Sequence, residues 1–306
     1  MLVFVARRLV VAIPLLLFTV SLVFLVFALI PGDPAVILAG ETANRATVDA
    51  IRQRYGLDRP LVVRYGIYLR QVARGDLGAS IFTGVPVTRE IRNRFTKTLE
   101  LAACSIGLAV AVGVLLGIAA ALKKDTAVDH LATVVALGGI SIPGFWLGLL
   151  LIYVFSVQYR WFPTGGTGGW RALVLPTLTL SVFSIAYIAR ITRSLLLEVI
   201  SQDYVRTARA KGVRGRSVVL KHALRNAMIP LVTVVGLRLG VMLTGSVVTE
   251  SIFAWPGLGR LMVTAVNNRD YPIIQGVLLT FATTFVVVNL LVDVCYAMLD
   301  PRITYD

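Results

Sequence analysis

LVVAIPLLLFTVSLVFLVFALI, Leu9 to Ile30, runs for 22 residues without one charged side chain and follows Arg7 and Arg8. A helix needs roughly 20 mostly apolar residues to cross the hydrocarbon of a bilayer, so this stretch reads as a membrane span. A secretory signal has an apolar core of about 7–15 residues followed by a small-residue cleavage site. This run is longer and lacks the site. Five further stretches of the same kind follow, at about 99–122, 131–157, 173–189, 227–249 and 277–298. The expected fold is an all-α membrane protein with six transmembrane helices.

Composition agrees with that reading. Of 306 residues 57% are hydrophobic and 15% charged, and the mean hydropathy is +0.81. Soluble domains carry about 45–50% apolar and about 25% charged residues. A soluble enzyme, a disordered chain and a nucleic-acid reader are excluded as the main role. The net charge is nevertheless +14. Its distribution explains it, because Lys and Arg in short loops set membrane orientation. With the N-terminus inside, the inner segments 1–8, 123–130, 190–226 and 299–306 hold 14 basic residues, nine of them in 190–226. The short outer loops hold four, Arg160, Arg171, Arg260 and Arg269. Both termini are therefore predicted cytoplasmic, in a multi-pass chain of the lipid bilayer.

Three regions follow from this: 1–30 with the first span, an external unit 31–98, and a five-span core 99–306. The external unit carries 11 basic residues. Val48, Ile51 and Tyr55 before Gly56, then Leu61, Tyr65, Leu69 and Val72 before Gly75-Asp76, predict two amphipathic helices. Val87, Ile91 and Phe95 suggest a third, leading into the second span. The unit reads as a packed cap or as a docking platform.

Inside the membrane, GGISIPG at Gly138–Gly144 interrupts the third span. It reads as a kink or as a cavity-lining break around Pro143. Arg238 and Asp293 are charges within spans, and such charges default to functional hypotheses. Arg238 lies about eleven residues into the fifth span, placed to line a wet pathway or to pair with Asp293. Glu100 opens the second span, where a helix N-terminus favours an acid. The outer loop from Glu250 to Gln275, with Phe253, Trp255 and Tyr271, reads as an interface belt or a re-entrant gate. Cys104 and Cys295 in apolar runs are expected to be buried, inert thiols.

In loop 190–226 a short amphipathic helix is predicted from about Ser201 to Lys211. Asp203 lies in its first turn, Arg209 and Lys211 in its last, and Gly212 just beyond. Ile200, Tyr204 and Ala208 form its apolar stripe. A second helical run, Val219 to Met228, enters the fifth span. No Gly in the chain is followed by Lys, so a phosphate-binding P-loop cannot form. There is no G-x-S-x-G, no H-E-x-x-H and no metal-ligand cluster. The chain is not expected to be an enzyme.

These residues resemble the membrane permease subunits of bacterial ABC importers of the dipeptide, oligopeptide and nickel branch, over essentially the whole length. The resemblance rests on Pro31-Gly32-Asp33-Pro34, Tyr55-Gly56-Leu57-Asp58, Gly75-Asp76-Leu77-Gly78, Pro256-Gly257-Leu258-Gly259-Arg260 and Leu299-Asp300-Pro301-Arg302. Its most specific element is DYVRTARAKG, from Asp203 through Tyr204, Arg206, Thr207, Ala208, Arg209, Ala210 and Lys211 to Gly212, followed by HALRNAMIP, His222 to Pro230. This is similar to the cytoplasmic EAA loop that docks such permeases on their ATPases. Gly212 and Ala208 match that pattern, while Arg206 and Thr207 stand at its Glu and first Ala. Leu224 matches, His222 stands for Ile and Arg225 for Pro.

The resemblance implies a permease in the bacterial inner membrane, half of a translocation pathway for short peptides. A homologous sister permease, two cytoplasmic ATPases and an external substrate-binding protein would be its partners, with no nucleic acid. The chain would hold no cofactor, and ATP and Mg would sit on the ATPases. Candidate pathway or gate residues are Arg238, Asp293, Pro143 and Glu250. Nickel, glutathione or opine-type solutes are alternative cargoes, and an ion-coupled secondary transporter is the alternative of a different class.

Overall fold

The computed structural model describes residues 2–29, 34–39, 44–54, 56–212, 215–218 and 223–299. Among these the regular secondary structure is all helical, apart from one isolated bridge between Ala79 and Pro86. The first span lies in α1 (Leu2–Leu29), followed by the short α2 (Pro34–Ala39), α3 (Arg45–Arg54) and α4 (Leu61–Ala73). The long helices are α5 (Val87–Leu122), α8 (Trp170–Ile200), α11 (Leu224–Ile252) and α13 (Tyr271–Leu299). Between them lie α6 (Ala127–Ser141), α7 (Gly144–Leu151) running into a wider π turn at Ile152–Gln158, α9 (Asp203–Ala210), α10 (Gly215–Ser217) and α12 (Leu258–Asn267).

Five of these helices are long and apolar enough to span a membrane by themselves. The sixth span exists only if α6 and the helix after it are counted together, for they are bent by 99° at the break. Pro143 explains the angle. A proline pushes the preceding residue out of the helical region. Ile142 accordingly sits at φ −81°, ψ 122°, and Pro143 caps the next helix at φ −61°, ψ 129°. The third span is thus a sharp break and not a mild kink.

Two further expectations change. The third external helix does not exist separately: α5 is one helix of 36 residues, from Val87 through the second span. Glu100 is consequently not at a helix N-terminus. It lies in the second half of that helix's first 14 residues and pairs with Lys97 at 2.9 Å. The two cysteines are exposed on the bundle surface, because they fall on helix faces turned away from the protein core. Small apolar residues suit a lipid-facing position as well as a core.

Four clusters of buried side chains hold the helices together. Val87 and Ile91 of α5 pack with Leu258, Leu261, Ile273, Ile274 and Val277 at the predicted outer end. Ala121, Leu196, Ala223 and Ala227 meet at the predicted inner end. Between them, Ala102, Ala109, Ile188, Leu231, Leu243 and Val288 form the central core. Val20, Val23 and Leu279 join α1 to α13, with Tyr68, Leu69 and Val72 of α4 against them. The predicted helices at 48–55 and 61–72 correspond to α3 and α4, with Tyr55 outside the described residues.

The most extensive helix contact is between α5 and α8. Without a hydrophobic drive between helices in lipid, close backbone approach through small residues supplies the packing. A Cβ on Gly113 would lie 2.9 Å from the Ile185 carbonyl oxygen, and one on Gly117 only 2.6 Å from that of Ala189. Because overpacking costs about 1–3 kcal/mol, Gly117→Leu in the purified transporter is expected to lower its melting temperature clearly. Gly107→Leu, where an added Cβ meets nothing within 4 Å, is expected to leave it nearly unchanged. Equal melting curves for the two variants would contradict the contact.

Candidate functional site

α9 is the short helix foreseen at 201–211, trimmed to Asp203–Ala210 because α8 itself continues to Ile200. Its anchor differs from the expected stripe. Val205 is fully buried, whereas Tyr204 is 43% exposed. The Tyr204 hydroxyl instead accepts a 2.6 Å hydrogen bond from Nδ2 of Asn226, near the start of α11. One buried valine and one tyrosine thus fasten α9 across the inner end of the bundle. The rest of the helix is open. Arg206 and Asp203 form a loose pair at 3.7 Å with both side chains largely exposed. Thr207 donates to the Asp203 carbonyl at 2.9 Å, and Ala210 and Lys211 are exposed. Ala208 and Arg209 lie on the same helix, their side chains outside what is described. His222 and Val219 also fall outside the described residues.

Gly212 ends α9 at φ +76°, with nothing within 4 Å of an added Cβ. The glycine is needed for backbone conformation and not for space, since other residues resist the left-handed region.

A cluster that the sequence did not announce sits at the same end. Arg193 donates from Nε and Nη2 to the two carboxylate oxygens of Asp129, at 2.6 and 2.7 Å, and the Asp125 backbone N–H adds a third bond at 3.0 Å. Asp129 is 3% exposed. Such two-pronged charged bonds are strong and directional. The pair ties α6, the inner half of the broken span, to α8 seven residues before its end. A cavity of about 140 Å3 lies beside it, lined by Leu116, Ala136, Ala189, Arg190 and Arg193. The sequence signal was thin: Asp129 in the first turn of a helix, and one of the nine basic residues of loop 190–226.

The four candidate pathway residues are not brought together. Pro143 marks the 99° break. The guanidinium of Arg238 lies over the ring of Tyr187 at 3.7 Å and that of Phe183 at 4.9 Å, both on α8. Cation–ring contacts hold a charge where water is scarce. Asp293 does not pair with Arg238; its carboxylate lies 3.1 Å from Arg8 of α1. Glu250 is fully buried at the opposite end. Its carboxylate accepts from Thr98 Oγ1 at 2.8 Å, Ser246 Oγ at 3.0 Å and the Arg260 N–H at 3.1 Å. Thr98 Oγ1 in turn accepts the Leu258 N–H at 2.8 Å. Glu250 therefore staples α5, α11 and the N-terminus of α12, where a carboxylate is favoured. Gly257 permits this, for a Cβ there would collide with the Glu250 carboxylate. Phe253 and Trp255 are 1% and 2% exposed. They are core residues and form no interface belt.

Long apolar helices, a broken span and a nearly free polar helix slung between two spans define a membrane transport permease. The chain belongs to the family of binding-protein-dependent transport system inner membrane components, which it matches over residues 113–305, with the N-terminal family of the same components over residues 1–102. It is the permease subunit of an ABC importer, a multi-pass protein of the inner membrane. The glutathione transport system permease protein GsiC of Salmonella typhimurium (strain LT2) is 48% identical over 305 residues, covering 100% of both chains. That of Escherichia coli (strain K12) is 47% identical over 305 residues with the same coverage. That of Pectobacterium atrosepticum is 47% identical over 299 residues, 98% of each. Among solved structures, the inward-facing MetNI methionine ABC transporter shares the fold at TM-score 0.60 and 19% identity, covering 69% of this chain and 96% of that one. An amino acid ABC transporter solved with histidines follows at 0.51 and 21%, covering 71% and 95%.

If the left-handed turn at Gly212 shapes the end of α9, Gly212→Val is expected to cut uptake by the assembled transporter severalfold. Gly212→Asn, which tolerates that conformation, retains most of it. Matching uptake in both variants would show that the turn is irrelevant to transport.

Proposed function

We propose that this chain forms half of the pathway of an ATP-driven importer for glutathione or a similar short anionic peptide. A sister permease supplies the other half, an external binding protein delivers the solute, and two ATPases on the cytoplasmic side hold ATP and Mg. The observation that carries the cargo is the full-length identity of 48% to permeases named for glutathione transport. Glutathione is itself a short peptide, so the peptide reading and the glutathione alternative meet in one chemical class. Family membership favours ATP drive over an ion-coupled transporter working alone.

In this reading α9 is the docking helix. Its exposed face, Asp203, Arg206, Thr207, Ala210 and Lys211, offers polar groups to a groove on an ATPase. Closure of the ATPases would push α9, and α8 would carry the push along its 31 residues. Arg193 then shares the displacement with the broken third span through Asp129. Arg238 rides on α11 against α8 and supplies the cation that a solute carboxylate would meet at membrane depth. Glu250 keeps the outer ends of α5, α11 and α12 fixed while the inner ends move.

Uptake of labelled glutathione, by cells carrying the whole transporter and no other glutathione importer, tests the cargo. Uptake of nickel with none of glutathione would overturn it. A charge-assisted bond to a solute is worth about 1.5–3 kcal/mol, and 1.36 kcal/mol is tenfold. Arg238→Gln is therefore expected to lower glutathione uptake at least tenfold with the ATPases still assembled. Unchanged uptake in that variant would remove Arg238 from the pathway.

A further inference from the structure

A cavity lies away from α9 and Arg238, at the predicted outer end. It has a volume of about 400 Å3 and sits between the end of α1, the turn at Gly56–Arg59, α4 and the start of α13. Phe24 and Phe27 come from the last turns of the first span, and Tyr271 and Gln275 from the first turns of the last. The cavity is therefore level with the ends of two spans, which is where a bilayer changes from tails to headgroups.

Its lining is one-sided in charge. Arg59 and Arg64 are both in the wall, with Gln53, Gln71 and Gln275 and, among the described residues, no carboxylate. Neither arginine is in an ion pair among the described residues. Tyr68 adds a buried hydroxyl without a hydrogen-bond partner among the described residues. Its burial pushes the pKa up to about 12, so it stays a donor. Two guanidinium groups and a waiting hydroxyl suit the oxygens of a phosphate.

The surroundings point to the source of that phosphate. α4 buries no residue completely. It is tied to α1 by the short Ser21–Tyr65 hydrogen bond and by Phe24 against Tyr65 and Tyr68. Leu61, Val62, Val63 and Ile67 of α4 are exposed, Val62 at 79%. Beside it α1 shows Leu22, Leu25, Val26 and Leu29 without protein cover. Exposed apolar side chains next to a basic, polar notch are the arrangement of an interfacial element that attracts anionic lipid.

We propose that the Arg59–Arg64–Tyr68 cavity binds the phosphate headgroup of one anionic phospholipid, whose acyl chains lie along α1 and α4. The site gives part of the otherwise unexplained positive charge of residues 31–98 a defined ligand. It holds the external unit against the outer leaflet and stands independently of the transported solute.

The test uses the whole transporter purified from mixed phosphatidylglycerol and phosphatidylcholine nanodiscs, with retained lipid counted by native mass spectrometry. Phosphatidylglycerol is expected to be retained over phosphatidylcholine. Each arginine near an anionic surface contributes about 1 kcal/mol, so Arg59→Gln with Arg64→Gln should weaken retention on the order of thirtyfold. Arg59→Lys with Arg64→Lys keeps the charge and should retain most of the lipid, which separates lost binding from lost folding. Tyr68→Phe should weaken it severalfold. Arg89→Gln with Arg92→Gln, outside the cavity, should change nothing. Equal retention of both lipids, or full retention in the double glutamine variant, would overturn the proposal. Displacement of the lipid by millimolar inorganic phosphate alone would also overturn it, assigning the cavity to a free anion.

Discussion

In hydrocarbon, helices gain little by hiding apolar surface from one another, so everything here depends on how closely α5 and α8 can approach. Gly113 and Gly117 let the two backbones touch at the Ile185 and Ala189 carbonyls. That contact fixes α8, and α8 carries the Arg193 end of the inner ion pair, the aromatic bed of Arg238 and the lead into α9. Gly236 and Gly240 repeat the device on α11, where a Cβ would run into Val292 and Phe285 of α13. Two four-residue glycine spacings thus set the frame for both halves of the bundle.

The two ends of this frame are built from different chemistry. At the predicted outer end the joints are buried and saturated: the Glu250 carboxylate is surrounded by donors, and Asp270 accepts from Ser80 Oγ and the Ile81 N–H. Breaking such a joint leaves a buried charge or polar group unpaired, which is costly. At the predicted inner end the described polar joints are the Asp129–Arg193 and Arg8–Asp293 pairs and the Tyr204–Asn226 bond, beside the apolar cluster of Ala121, Leu196, Ala223 and Ala227.

The residues around α9 were legible early because their signals are local. A first-turn acid, last-turn cations and a following glycine mark a helix whatever surrounds it. Its anchor was not legible: Tyr204 looked like the apolar stripe, but Val205 is the buried residue and Tyr204 reaches Asn226 through its hydroxyl. Arg238 and Asp293 are legible as intramembrane charges, but their partners are not: Asp293 meets Arg8 and Arg238 lies over Tyr187. The sequence contains no information on which of several distant cations an isolated aspartate meets.

By itself the sequence determined the spans, the two external helices, the break at Pro143, the missing nucleotide loop and the position of α9. Each depends on apolar length, helical period or a backbone preference within a few neighbours. Tertiary structure alone decided the 99° size of the break, the Asp129–Arg193 pair across 64 residues and the Glu250–Thr98 joint across 152. The reason is physical. A buried carboxylate's partners are selected by which helix faces can pack at glycine contact distance, and that choice is made only when the whole bundle closes.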